Sequence, residues 1–263
     1  MCVLLVILIA GTGSATEVTL PHTQNWNTLS PWTKVYSGGE LDGTQSAPGS
    51  ASSSFKFTYP SGMPGGSAPD KIWVSIFPTQ SEFWTQYYFK YSSNFYFHPG
   101  DNKQAYWSIS GSKTNYYVSA EGQTPKMRMV FQRTGSDGKA GARYSNTGFN
   151  PTIQRNTWYK LKTHVVLNTE GSANGVFQMW INDQLVMSYD DISYLVGSDV
   201  GKEVGSMEYT PVFGGGSDQT KPATDYFWVD YTIISGSPSG SGTSPPPPNS
   251  GMIPSPPSKM QIM

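Results

Sequence analysis

The sequence predicts an all-β protein built as a two-sheet antiparallel β-sandwich. Short segments rich in aromatic and β-branched residues recur along the chain, and Gly, Pro, Asn or Ser bound each of them. No long stretch of helical periodicity lies between them, which favours stacked sheets. An immunoglobulin-type sandwich needs only about 100 residues. The longer body of this chain therefore favours a jelly roll.

Five segments carry the clearest strand pattern, and they span residues 84–91, 126–133, 158–167, 176–181 and 226–234. The last two residues before the segment QLVMSY are Asn182 and Asp183, which predict a two-residue hairpin turn. Many short strands joined by such turns are typical of sandwiches and jelly rolls.

The two ends of the chain differ from this body. Residues 2–10 are an unbroken apolar run, and the small residues that follow suit a signal-peptidase cut before Thr16. We expect a signal peptide over 1–15. The absence of a Lys or Arg before the run suggests that its start is truncated, and a buried first strand is the alternative. Residues 236–263 are rich in Pro, Gly and Ser and predict a disordered linker or tail. The predicted domain is therefore 16–235, in a secreted protein.

Charge and cysteine content exclude several classes of protein. The formal net charge is −1 with 17 Lys and Arg, which gives no basic surface for nucleic acid. Cys2 is the single cysteine, so no disulfide framework can form. The apolar run is too short for a mature membrane span. We expect a monomer whose many Tyr and Trp side chains face neutral, hydroxyl-rich ligands.

A family resemblance lies in residues 158–194. They contain an aromatic-led strand, an Asn-Thr-x-Gly loop, an Asn-Gly start, a Trp-containing strand and a tight turn. This order resembles the core of concanavalin A-like jelly rolls, including secreted polysaccharide lyases and lectin-like domains. Residues 87–107 and the segment FWVDYTI are similar to other strands of that group. The resemblance implies a jelly-roll fold and a polysaccharide partner, but the fold hosts lectins, hydrolases and lyases alike.

A polysaccharide lyase that cleaves a uronate-containing glycan by β-elimination is the function we expect first. That reaction needs a cation or amide to neutralise the uronate carboxylate, and Tyr, His or Lys as base and acid. Arg128 lies between Met127 and Met129, whose apolar side chains should face the core and leave the guanidinium outside. The candidate catalytic residues are Arg128, His98, His164 and Tyr88. The candidate substrate-binding residues are Gln86, Lys103, Trp107, Gln132, Gln178 and Trp180.

Other functions stay open at this point. A non-catalytic carbohydrate-binding module or lectin needs only aromatic platforms and amides, and a structural cell-surface protein needs neither. A glycoside hydrolase needs a carboxylate pair, but none of the glutamates shows the Glu-x-Asp-x-Glu spacing of jelly-roll glucanases. Convergence of Arg128, Gln178, a Tyr and a His in one groove would favour the lyase.

A structural calcium ion is a further expectation. Asp230 lies inside an apolar last strand, where an unpaired carboxylate would be costly. The resemblance implies that a last-strand Asp helps to hold calcium, and Glu40 and Asp42 in a Gly-rich turn are its natural partners. A hydrogen-bonded Asp on an edge strand is the alternative. We expect no catalytic cofactor, since the sequence has no Cys pair or His-rich zinc motif.

Overall fold

The structure is a computed structural model that describes residues 16–50, 53–132, 140–215 and 218–237. It confirms the predicted all-β two-sheet sandwich, and the described residues contain one short 3₁₀ turn at Gly197–Asp199 besides the strands. The predicted signal peptide and nearly all of the predicted tail lie outside the described residues. Across the part of the chain that is described, no helix is long and apolar enough to span a membrane.

The first sheet, called here the front sheet, contains eight strands. They are β1 (Glu17–Val18), β3 (Thr33–Lys34), β6 (Ile72–Gln80), β8 (Asp101–Ile109), β9 (Asn115–Glu121), β10 (Lys126–Gln132), β11 (Ala140–Arg143) and β15 (Val204–Tyr209). Their order is β1-β6-β15-β8-β9-β10-β11, and β3 also pairs with β6.

The second sheet, called here the back sheet, also contains eight strands. They are β2 (His22–Gln24), β4 (Gly39–Asp42), β5 (Ser54–Tyr59), β7 (Glu82–Tyr91), β12 (Tyr159–Val166), β13 (Gly175–Ile181), β14 (Gln184–Ile192) and β16 (Asp225–Ser237). Their order is β14-β13-β12-β7-β16-β5-β4, and β2 pairs with β16. The pairing is antiparallel throughout this sheet.

All five predicted strand segments are confirmed as β7, β10, β12, β13 and β16. Asn182 and Asp183 form the predicted hairpin turn, with positive φ angles of 49° and 66°. That backbone conformation matches a type I′ turn, whose twist suits antiparallel strands. β16 continues through Ser237, two residues past the predicted end of the domain.

Aromatic side chains fill the space between the two sheets, and a few buried polar groups join them there. Trp107 on β8 donates from Nε1 to Thr85 Oγ1 on β7, at 2.9 Å. Gln104 accepts a hydrogen bond from Tyr87 at 2.9 Å and donates to the hydroxyl of Tyr91 at 2.8 Å. Because each buried polar atom in these bonds has a partner, the bonds fix how the front sheet lies on the back sheet.

A buried ion pair lies at the start of β16. Lys221 Nζ is 2.8 Å from Asp225 Oδ2 and donates to the Tyr96 carbonyl at 2.9 Å. Both charged side chains are essentially inaccessible to solvent. The Lys221 ammonium also lies 3.5 Å from the ring centre of Phe95. Burial lowers the pKa of Lys221 to about 8, although the attraction of Asp225 acts to raise it.

We expect Lys221→Met to lower the free energy of unfolding by about 3–5 kcal/mol, because it leaves the carboxylate of Asp225 buried without its cation. Urea unfolding followed by tryptophan fluorescence measures the change. Lys221→Met combined with Asp225→Asn should recover much of the loss, and Lys113→Met, at an exposed turn position, is the control. A loss below about 1 kcal/mol for the single variant would contradict this role of the pair.

Candidate functional site

The outward side of the front sheet carries a compact group of polar and charged side chains on β8, β9 and β10. Met127 and Met129 of β10 lie in the core, so Arg128 between them faces outward, as predicted. On β9 the core takes Val118 and Ala120, which leaves Ser119 on the outward side. Strand pairing places Ser119 between Lys103 of β8 and Arg128 of β10.

Arg128 is the centre of this group. Its Nη2 lies 3.0 Å from Asp101 Oδ2, and its Nη1 lies 2.6 Å from Glu121 Oε1. Nε donates to Ser119 Oγ at 3.3 Å, and Nη1 also donates to the Tyr144 hydroxyl at 3.2 Å. Burial disfavours the charged form of Arg128. The attraction of Asp101 and the hydrogen bonds outweigh this effect, so the pKa of Arg128 is raised. The guanidinium is therefore a fixed positive charge held in one orientation.

A lysine and two tyrosines adjoin Arg128. The rings of Tyr106 and Tyr117 are 4.8 Å apart, and Lys103 Nζ lies 5.0 Å from the ring centre of Tyr117. Burial raises the pKa of both tyrosines well above the ordinary value. Burial also lowers the pKa of Lys103. The positive charge of Arg128 lowers this pKa further, whereas the attraction of Asp101 raises it. The site thus combines protonated phenols with an amine that loses its proton more readily than an ordinary lysine.

The structure divides the predicted site residues between opposite surfaces. Lys103 and Arg128 lie together on the front sheet, and Gln132 lies on the same side at the end of β10, opposite Asn115. The outward side of the back sheet carries the others, which are Gln86, Tyr88, His164, Gln178 and Trp180. The convergence of Arg128 with Gln178 in one groove does not occur, because the whole core separates the two sheets.

The back-sheet residues form their own hydrogen-bonded and stacked group. The rings of Trp84 and His164 stack at 3.7 Å, and Trp180 stacks on Trp84 at 5.9 Å. His164 Nε2 lies 2.9 Å from Glu82 Oε1, and Nδ1 lies 3.2 Å from Gln178 Oε1. Trp84 is buried and stacks with both His164 and Trp180, so it offers little open ring surface to a sugar. Burial raises the pKa of nearby Tyr88 to about 12, which keeps its phenol protonated.

Trp107 requires a correction. The sequence suggested it as a sugar-stacking residue, but its side chain is fully buried and stacks on Tyr116 at 5.1 Å. The alternation of β8 changes at an irregularity between Lys103 and Tyr106. Trp107 therefore joins the core, and Tyr106 takes the outward position beside Tyr117.

His98 lies in the loop before β8, close to the Arg128 group but buried. Its Nδ1 accepts a hydrogen bond from the Gly100 amide at 2.9 Å, and its ring meets Phe213 edge-on at 4.9 Å. Burial lowers the pKa of His98, against the attraction of Asp101. These contacts hold the loop that leads into Asp101, and they place His98 beside the site.

Sequence reasoning missed four residues that contact Arg128, namely Asp101, Ser119, Glu121 and Tyr144. Ser119 and Glu121 share the period-two pattern of β9, which could have identified them as outward-facing. Asp101 and Tyr144 come from other segments of the chain. Strand register brings Asp101 to Arg128, and the course of the chain after β11 brings Tyr144 there.

The three carboxylates suggested for calcium have separate protein partners. Asp230 is buried, and it accepts hydrogen bonds from the amides of Ala47 at 2.7 Å and Tyr231 at 2.6 Å. Glu40 pairs with Lys56 at 2.7 Å, while Asp42 accepts a bond from Trp228 Nε1 at 2.9 Å. Over the described ranges, no three His, Cys, Asp or Glu side chains group together as metal ligands would. The structural calcium ion at these three carboxylates therefore stays a prediction.

Comparison with protein families supports a lyase-like domain. A family model described as polysaccharide lyase 14 matches residues 106–229, which contain Tyr117, Ser119 and Arg128. This match confirms the resemblance to polysaccharide lyases that the sequence suggested. A search of curated proteins found no match.

Solved structures with the same fold confirm the jelly roll. An endo-β-1,4-glucuronan lyase from the fungus Trichoderma reesei is 12% identical, with a TM-score of 0.60, and the match covers 82% of this chain and 95% of that one. An alginate lyase variant in complex with alginate trisaccharide is 14% identical, with a TM-score of 0.59 and coverage of 82% and 98%. The PL-14 alginate lyase from Aplysia kurodai is 11% identical, with a TM-score of 0.58 and coverage of 78% and 90%.

We expect Gly214→Ala to destabilise the loop around His98. Gly214 has a φ of +71°, and a Cβ there would lie 2.4 Å from the His98 ring. The strain and the clash together should lower the free energy of unfolding by about 1–3 kcal/mol. Gly215→Ala is the matched control, since its Cβ would meet nothing within 4 Å. Thermal unfolding measures both variants, and equal melting temperatures would contradict this packing.

Proposed function

We propose that this chain, which is similar to the polysaccharide lyase 14 family through residues 106–229, cleaves a uronate-containing polysaccharide by β-elimination on the outward side of the front sheet. One observation carries the proposal. A fixed guanidinium, an amine with a lowered pKa and a protonated phenol lie side by side on three adjacent strands. These are the groups that an elimination next to a carboxylate needs.

Arg128 is the group that receives the uronate carboxylate. A carboxylate makes the neighbouring C–H a poor acid, because proton removal would place a second negative charge next to the first. A guanidinium bonded to the carboxylate offsets that charge and stabilises the enolate-like transition state. Asp101 and Glu121 hold Arg128 in position, so it need not reorganise when the substrate arrives.

Lys103 and Tyr117 supply the proton transfers. The neutral amine of Lys103 takes the proton from the carbon next to the carboxylate, and the electron pair forms a carbon–carbon double bond. The bond from the adjacent carbon to the glycosidic oxygen breaks, and Tyr117 donates its phenolic proton to that departing oxygen. Lys103 Nζ lies 5.0 Å from the Tyr117 ring centre. Return of the proton from the ammonium to the phenolate, directly or through solvent, restores both groups.

Secretion fits this function, because a polysaccharide substrate lies outside the cell. The apolar run at residues 2–10 and the small residues that follow it support secretion from the sequence.

We expect Arg128→Gln to lower kcat/KM by about 10²–10³-fold, because the amide keeps hydrogen bonding but removes the positive charge opposite the substrate carboxylate. The ultraviolet absorbance of the unsaturated product measures the rate on a panel of uronate polysaccharides. Lys113→Gln, at an exposed turn position, is the matched control. Full activity of Arg128→Gln would contradict the assignment. Glycan binding without an unsaturated product would instead identify a non-catalytic binding protein.

The rate should peak at alkaline pH. Lys103 acts as the neutral amine, and its pKa lies below that of an ordinary lysine, so kcat/KM should rise as the pH approaches that lowered value. Tyr117 acts as the protonated phenol, and its pKa is raised, so the rate should fall only at a pH above the ordinary tyrosine value. A pH–rate profile measures both limbs. Lys103→Arg should remove the rising limb, and a peak in acid would contradict these roles.

A further inference from the structure

We infer that His98 is a positioning residue for the proposed reaction, and that its neutral ring holds Asp101, and through it the guanidinium of Arg128, in the geometry that receives a carboxylate. This inference rests on the proposed function and adds a residue that acts through another one. Its consequence is that protonation of His98 weakens substrate binding in mild acid.

The His98 ring accepts hydrogen bonds from the backbone that leads into Asp101. Nδ1 accepts one from the Gly100 amide at 2.9 Å and another from the Asp101 amide at 3.4 Å. An imidazole nitrogen can accept a hydrogen bond only while it carries no proton. The two amides therefore require the neutral ring with its proton on Nε2.

Close packing on both sides prevents the ring from turning away. A Cβ at Gly100 would lie 3.3 Å from His98 Nδ1, and a Cβ at Gly214 would lie 2.4 Å from the ring, so the backbone approaches the imidazole closely at both glycines. Phe213 meets the ring edge-on at 4.9 Å. A proton added at Nδ1 must therefore displace the amides that bond to it, because the ring cannot rotate to avoid them.

The ends of this turn are anchored to each other and to the front sheet. The His98 amide donates to Asn102 Oδ1 at 2.9 Å, and Asn102 Nδ2 donates to the carbonyls of His98 at 3.2 Å and Ala120 at 3.0 Å. Asn102 is buried. The imidazole bonds to the amides between these fixed ends, so it sets the direction in which Asp101 leaves the turn.

Asp101 passes this constraint to the catalytic groups. Its Oδ2 lies 3.0 Å from Arg128 Nη2 and accepts a hydrogen bond from the Tyr117 hydroxyl at 3.4 Å. Because Asp101 is buried, water screens these contacts little. A displacement of the Asp101 backbone consequently changes the orientation of Arg128 and the environment of the phenol that donates the proton.

The charges that face His98 have opposite effects on its protonation. Asp101 attracts the imidazolium and raises the pKa of His98, whereas the positive charge of Lys221 lowers it. Lys221 is itself paired with Asp225 at 2.8 Å, and the adjoining Phe213 adds no charge. Burial is the largest effect and lowers the pKa of His98 below the ordinary value of about 6.5. His98 is therefore neutral at neutral pH and gains its charge only in acid.

Substrate binding by an inactivated variant tests the inference without interference from Lys103. Lys103→Gln removes the titrating amine and keeps Arg128. Calorimetric titration with an oligoglucuronate and an oligoalginate between about pH 5 and pH 8 measures the affinity, since the sugar carboxylates stay ionised in that range. We expect a constant affinity above the pKa of His98 and a fall of up to about tenfold per pH unit below it, because protonation and binding oppose each other. An affinity that stays constant or rises in acid overturns the inference.

Two substitutions of His98 in the Lys103→Gln background separate positioning from packing. His98→Asn keeps an acceptor, because an Asn side chain accepts a hydrogen bond from the amide two residues on, and it does not titrate. Its affinity should stay within about threefold at pH 8 and become independent of pH. His98→Leu removes the acceptor and should weaken binding by about tenfold at pH 8. Equal losses for Asn and Leu, or a pH dependence that survives in His98→Asn, would overturn the inference.

The matched control is His22→Asn, which removes a histidine of β2 in the back sheet. It should leave the pH dependence of binding unchanged. Thermal unfolding of each variant shows whether it is folded at the pH of the binding measurement.

Nuclear magnetic resonance of the unsubstituted chain gives a readout that does not depend on activity. The ¹⁵N signals of neutral His98 should show the proton on Nε2, and the amide signals of Gly100 and Asp101 should shift as His98 titrates. A proton on Nδ1 of the neutral ring overturns the inference and leaves the proposed function intact. No unsaturated product and no binding of either oligosaccharide overturns the proposed function and this inference with it.

Discussion

Burial of the inward-facing side chains between the two sheets is the interaction on which the rest of the structure depends. Each strand places every second side chain in this core, so the alternate side chains must face outward. Trp107 and Gln104 on β8 bond to Thr85, Tyr87 and Tyr91 on β7, which fixes one sheet against the other. The outward residues of three neighbouring strands consequently form a rigid surface, and the polar group around Arg128 is part of it.

The same packing explains why the site is prepared for its chemistry. Arg128 forms ion pairs with carboxylates of β8 and β9 and donates hydrogen bonds to β9 and to Tyr144, so its orientation is set by elements that are themselves anchored in the core. Burial disfavours the charged ammonium of Lys103 and the charged phenolate of Tyr117 alike. It therefore lowers the pKa of Lys103 and raises the pKa of Tyr117. It thereby leaves an amine that can accept a proton next to a phenol that can donate one.

Much of this arrangement could be read from local pattern. The hairpin at Asn182–Asp183 and the strands β7, β10, β12, β13 and β16 follow from turn chemistry and period-two alternation. The two methionines beside Arg128 indicated its outward direction. Trp107 shows where such reasoning fails, since an irregularity in β8 shifts the alternation and moves that ring into the core. Its neighbours in sequence carry no signal of that shift.

By itself, the sequence determined the all-β class, the positions of the main strands and the outward direction of Arg128. These are local properties, because side-chain alternation and turn propensity act over a few residues. Only the tertiary structure decided which strands share a sheet. That decision separated Arg128 and Lys103 from His164 and Gln178, and it brought Asp101, Glu121 and Tyr144 to the guanidinium. Strand order arises from long-range pairing and core packing, which no local pattern encodes.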